Sequence, residues 1–216
     1  MKVIAIDGPA GSGKGTISKI LAEKLNYIYV DTGVTYRSVA LICIRNNINL
    51  EEKEKIIDIS SKIDLEYTED GRCLLNKEDV SDLIRSKEVT NICSEVSSIL
   101  EVRKNMVKLQ RKMSKNSNVV MEGRDITTVV FPNADYKFYL DASLESRVNR
   151  RFNQNKEKNI NMTKEEIEEN IKRRDYNDMH KEYGALKISD DAIYIDTSDL
   201  TIDEVVNKMM EVIKWI

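Results

Sequence analysis

Half of the chain's 8 glycines fall between residues 8 and 15, around Lys14. The stretch GPAGSGKGT (8–16) follows the apolar run VIAI and opens an amphipathic segment that lasts to Leu25. Glycines at this spacing let successive backbone N–H groups turn inward around a phosphate chain, and the helix that follows adds the positive end of its dipole. Lys14 adds a point charge for the outer phosphates. Gly8, Pro9, Ala10, Gly11, Ser12, Gly13, Lys14, Gly15 and Thr16 therefore form a predicted triphosphate cradle. Gly15 stands where such loops commonly carry the metal-side hydroxyl, which leaves Thr16 as the metal-facing residue.

A triphosphate cradle alone does not name a reaction: a small-molecule kinase and a nucleotide-dependent switch both use one. The pattern N-K-x-D at Asn76–Asp79 would suit a guanine-reading switch. No D-x-x-G occurs in the chain, however, so the γ-phosphate sensor of such a switch is missing. A kinase needs a second anion site and positive charge to offset the transferring phosphoryl group. Arg37 lies in DTGVTYR, Arg124 and Asp125 in EGRD, and Arg147, Arg150 and Arg151 share a helix face at i, i+3, i+4 spacing. Arg173, Arg174, Asp178 and Lys181 recur in the same way on the next long helix.

These residues need a scaffold. The runs at 3–6, 27–30, 119–121, 136–140 and 192–195 read as strands, and most end at an acidic residue: Asp7, Asp31, Glu122, Asp141 or Asp196. Helical periodicity is predicted near 14–25, 33–46, 51–62, 86–115, 143–152, 163–181 and 201–215. The alternation implies an α/β fold, a parallel sheet covered on both faces whose ligands bind beyond the carboxyl ends of the strands. Residues 64–84 read as an inserted hairpin turning at Asp70-Gly71, and 150–163 as a basic, asparagine-rich loop.

A net charge of −3 gives no global attraction to nucleic acid or anionic membrane. The opening MKVIAID reads as a strand rather than an export signal, and 3 cysteines without C-x-x-C spacing read as reduced thiols. A cytoplasmic location is expected.

Taken together, GPAGSGKGT, DTGVTYR, EGRDITTVVFP, DASLESRVNRR and the RRDYND helix resemble the bacterial cytidylate kinases, a branch of the nucleoside monophosphate kinases. The resemblance spans nearly the whole chain, and EGRDITTVVFP is its most specific element. It implies one P-loop kinase domain over residues 1–216, a five-stranded parallel sheet with a monophosphate-binding insertion at about 60–95 and a lid at about 150–163. It implies phosphoryl transfer from ATP, with Mg²⁺, to CMP and dCMP by a monomer without nucleic-acid or membrane partners. Other acceptors (UMP, AMP or shikimate) and the switch reading are the alternatives. By the resemblance, Arg37, Arg124 and Lys181 hold the acceptor phosphate. Ser94, Arg103 and Asp125 read the cytosine edge, and Thr32, Arg174 and Asp178 line the sugar. Lys14 and Arg124, with Arg147 and Arg151 beside the ATP phosphates, form the expected catalytic set. The chain departs from the family pattern at Lys181, where arginine is usual, and at Ala185, where proline is usual.

Overall fold

The computed structural model describes residues 1–68, 72–157 and 159–213. In chain order the elements begin β1 (Val3–Asp7), α1 (Lys14–Leu25), β2 (Ile28–Asp31), α2 (Gly33–Arg45), α3 (Lys53–Lys62), β3 (Leu65–Tyr67), β4 (Cys73–Leu75) and β5 (Glu78–Asp79). A single 3₁₀ turn (Leu83–Arg85) leads to α4 (Lys87–Val96) and α5 (Leu100–Met113). Then follow β6 (Val119–Gly123), a π-type turn (Ile126–Val130), β7 (Tyr136–Asp141), α6 (Leu144–Glu157), α7 (Lys164–Met179), β8 (Ile193–Asp196) and α8 (Ile202–Ile213). Two compact units are present: Lys2–Tyr29 with the chain from Asn118 on, and Val30–Ser117.

The first unit is built on a five-stranded sheet in the order β2-β6-β1-β7-β8, with parallel pairing of β1 to β6 and β7 and of β7 to β8. Every residue of β1 and β6 is buried, the unbroken pattern of strands covered on both faces. Ile4, Ile6 and Phe138 pack against Ile17 and Leu21 of α1 and Met209 of α8. Those helix positions recur at i, i+4, which is why the sequence commits these segments to amphipathic helices. In register, Asp7 lies beside Gly123 and Tyr139, so β1 and β6 finish level and β7 runs on two residues to Asp141. Thr163 and Glu166 form a reciprocal capping box that starts α7.

The Val30–Ser117 unit has its own core, in which Val39 and Cys43 of α2, Leu65 and Leu75 of the hairpin and Val102 and Met106 of α5 are buried. Its antiparallel sheet runs β3-β4-β5. The predicted hairpin is present, while Asp70-Gly71 lies outside the described residues. Asn76 and Lys77 both have positive φ, 50° and 69°, and form a tight two-residue turn between β4 and β5. Glu78 and Asp79 are paired with Arg45 and Arg72. The N-K-E-D stretch is thus a hairpin turn, not a base-reading loop.

Two predicted boundaries differ. The single helix expected over 86–115 is two helices. Ser97 and Ser98 turn their hydroxyls back onto the carbonyls of Ser94 and Glu95, and the Arg103 guanidinium takes the Ser97 carbonyl. Conversely, α6 continues to Glu157 through most of the stretch read as loop. Past the helix end, Asn159 takes the left-handed conformation, φ 54°. No helix among the described residues is long and apolar enough to cross a membrane.

The turn after β1 approaches β7 closely: a Cβ on Gly8 would meet the Leu140 carbonyl oxygen at 2.0 Å. Leu140 is the backbone of a buried strand and cannot give way. Gly8→Ala is therefore expected to cost roughly 3–5 kcal/mol, read as a fall in the urea midpoint; an unchanged midpoint would contradict this packing.

Candidate active site

The loop from Gly8 to Gly13 is shaped by where its carbonyls go. Pro9 O accepts from Lys14 Nζ (3.1 Å) and Ala10 O from Arg147 Nη1 (3.2 Å). Ser12 O accepts from Thr197 Oγ1 (3.0 Å) and Arg150 Nη1 (3.4 Å). With the Pro9, Ala10 and Ser12 carbonyls engaged by side chains, and Gly11 and Gly13 at φ 84° and 87°, the loop favours a donor surface at the start of α1. Positive φ is why these two positions are glycine.

Beside the loop, at the end of β6, Glu122 lies 3.8 Å from Lys14 Nζ and accepts from the Tyr29 hydroxyl at 3.1 Å. Its Oε1 would be 3.0 Å from a Cβ on Gly15. Gly15, the departure from the common loop pattern, thus makes room for this carboxylate. Next along the chain, Arg124 Nε donates to Asp178 Oδ2 (2.7 Å), and Lys181 Nζ donates to Asp178 Oδ1 (2.9 Å). One carboxylate therefore holds two cations. Burial alone would raise the Asp178 carboxyl, but Arg124, Lys181 and Arg174 hold it well below the usual carboxylate range. Lys14 is affected in the opposite sense. Burial, with Arg124 and Arg174 close by, lowers its ammonium to about 7 against the pull of Glu122 and Asp178.

The sequence-predicted residues fall into two groups. Within the sheet unit, Lys14, Arg124, Arg174, Asp178 and Lys181 form one electrostatic cluster, and Asp125 is buried immediately after Arg124. Thr16 is exposed on the first turn of α1. Arg147 is buried, bonded to Ala142 O and Ala10 O and ion-paired with Asp175 at 2.5 Å, so it braces the loop from outside. Arg151 is exposed beside Gln154. Within the Val30–Ser117 unit, Arg37 Nη1 donates to Ile84 O and to Thr90 Oγ1, each at 3.0 Å. Arg103 is buried over the Tyr36 ring, Thr32 is buried at the start of α2, and Ser94 is exposed on α4. Sequence reasoning missed Glu122 as a partner of Lys14, and it missed Thr197 and Arg150 as supports of the loop. Only the acidic strand ends hinted at the first, and nothing local marked Thr197.

A phosphate loop whose buried lysine shares one electrostatic cluster with Arg124, Arg174 and Lys181 has the charge that phosphoryl transfer requires. The cytidylate kinase family model matches residues 4–215, and the chain belongs to that family. It is 48 % identical over 212 residues to the cytidylate kinase of Caldanaerobacter subterraneus subsp. tengcongensis, covering 98 % of this chain and 94 % of that one. It is 46 % identical over 211 residues to that of Caldicellulosiruptor bescii, covering 96 % and 93 %. The cytidylate kinase of Clostridioides difficile is 45 % identical, with 96 % of each chain covered. Among solved structures, an uncharacterized protein from Eubacterium ventriosum superposes over 100 % of both chains with a TM-score of 0.54 at 14 % identity, a likeness of fold alone.

The lowered Lys14 ammonium has a measurable consequence. Below about pH 7 the folded protein carries this buried charge at full cost. Between about 7 and the ordinary 10.5 the unfolded chain binds the extra proton, so stability rises with pH. Lys14→Met without nucleotide is expected to be more stable than wild type at pH 6, by roughly 1–3 kcal/mol. The gap should narrow by pH 9 in urea denaturation, while phosphoryl transfer is lost. An equal gap at both pH values would contradict the assignment.

Proposed function

We propose that this chain transfers the γ-phosphoryl group of ATP to CMP and dCMP, giving ADP with CDP or dCDP. The observation that carries the reading is the cation cluster beside a phosphate-cradling loop, Arg124 and Lys181 held by Asp178 and Lys14 beside Glu122, in a chain of the cytidylate kinase family. Donor phosphates lie against the loop N–H groups and Lys14. Arg124 and Lys181, with Arg37, take the acceptor phosphate. A loose phosphoryl-transfer transition state asks for positioning and charge stabilisation, which these groups supply without a general base.

Cytosine is read by its exocyclic amine, which donates to the Asp125 carboxylate and the Ser94 hydroxyl, while Arg103 donates to the ring acceptors. Thr32, Arg174 and Asp178 serve the sugar. Arg151 serves the ATP phosphates, and Arg147 acts through the loop it braces. Mg²⁺ favours oxygen donors from one or two carboxylates plus phosphate. Glu122, filling the space left by Gly15, and the Thr16 hydroxyl fit that need. The ion supplies charge neutralisation on the transferring phosphates. The protein works as a cytoplasmic monomer, with nucleotides as its partners.

An ADP-release assay with ATP and Mg²⁺ tests this directly. CMP and dCMP should support turnover, with UMP, AMP, GMP and shikimate at least tenfold weaker in kcat/KM, since a mismatched buried polar group costs about 1–3 kcal/mol. Hydrolysis unaffected by every acceptor would overturn the reading. Lys181 supplies a second check. Lys181→Met should raise the KM for CMP or lower kcat at least tenfold, about 1.4 kcal/mol, whereas Lys181→Arg keeps the charge and should be tolerated. Wild-type kinetics in the methionine variant would move the phosphate grip to Arg37 and Arg124.

A further inference from the structure

Asp7 ends β1, directly before the phosphate loop, and its side chain is fully buried, out of reach of any ligand. The carboxylate is nevertheless fully engaged. Oδ1 accepts from the Ile126 N–H at 2.9 Å; Oδ2 accepts from the Thr127 N–H at 2.8 Å and the Thr127 hydroxyl at 2.7 Å. These donors open the π-type turn Ile126–Val130, which follows Arg124 and Asp125 without a spacer. The Asp125 carbonyl takes the N–H groups of Val129 and Val130, and Ile126 O takes that of Phe131. The first N–H groups of the turn have no such carbonyl, and Asp7 is their acceptor.

We propose that Asp7 is a positioning residue for acceptor recognition: by anchoring Ile126 and Thr127 it fixes the backbone on which Arg124 and Asp125 stand. The inference rests on the CMP kinase reading above. Three features support it. Register places Asp7 next to Gly123, one residue before Arg124. The three donors use both oxygens of the Asp7 carboxyl, and an amide in its place would offer a single acceptor oxygen. And burial, despite those bonds and with Asp125 adding its charge, pushes the Asp7 carboxyl up to about 6. A carboxylate kept in so unfavourable a place is characteristic of a functional site.

The test compares Asp7→Asn, Thr127→Val and Thr127→Ser with wild type, measuring kcat and KM for CMP and UMP, the Kd of ATP by calorimetry, and the melting temperature. Asp7→Asn should raise the KM for CMP at least tenfold and narrow the CMP-over-UMP ratio at least threefold, with the Kd of ATP changed less than threefold. Thr127→Val should move the same quantities the same way by a smaller factor, and Thr127→Ser, which keeps the hydroxyl, should restore them. If Asp7→Asn does not fold, the valine–serine pair carries the test. Equal losses for CMP and ATP, or a lower melting temperature with unchanged CMP kinetics and selectivity, would overturn the proposal. An inactive wild type would instead refute the kinase reading, which keeps the two failures distinct.

Discussion

The site depends on holding like charges together out of water. Two unit charges 4 Å apart interact by about 4 kcal/mol at an effective dielectric of 20, so Lys14, Arg124 and Lys181, whose side chains are largely buried, would repel one another without counter-charge. Asp178 and Glu122 supply it. Asp178 sits on α7 and binds Arg124 from the end of β6 and Lys181 from just past its own helix. Glu122 lies beside Lys14. With Arg174, four cations meet two carboxylates among these groups, an excess of positive charge that phosphate would offset; the Lys14 ammonium is lowered chiefly by burial, then by Arg124 and Arg174.

The rest of the sheet unit serves that arrangement. Parallel pairing brings the ends of β1 and β6 level, with β7 alongside. Side chains from α6 and from the segment after β8 then bind the loop carbonyls from outside: Arg147 at Ala10, and Arg150 with Thr197 at Ser12. Arg147 is itself fixed by Asp175 of α7, the helix that carries Asp178. The helix that gathers Arg124 and Lys181 thus also braces the phosphate loop through Arg147.

Much of this was legible in the sequence because it is local. A glycine turn with a lysine before a helix, strands ending in acids, and arginines at helical spacing are patterns of adjacent residues, and the sheet and its helices followed from them. What was not legible needed distant partners. Thr197 meets Ser12 across 185 positions, and Asp7 meets Thr127 across 120. Arg147 has the spacing of a phosphate-facing arginine, but its direction is set by Asp175, 28 residues away. The helix over 86–115 broke because serine hydroxyls competed for carbonyls, an effect that periodicity does not register. In α6, asparagine-rich composition suggested a loop, yet the helix ran on to Glu157, with Asn155 buried.

Asp178→Asn offers the most direct measurement, because it removes the charge that gathers the cluster while keeping the side chain's shape. The kcat/KM of the folded variant for CMP at saturating ATP should fall at least a hundredfold, about 2.7 kcal/mol of transition-state stabilisation. A variant within threefold of wild type would show that the cations need no shared carboxylate, and would contradict the account.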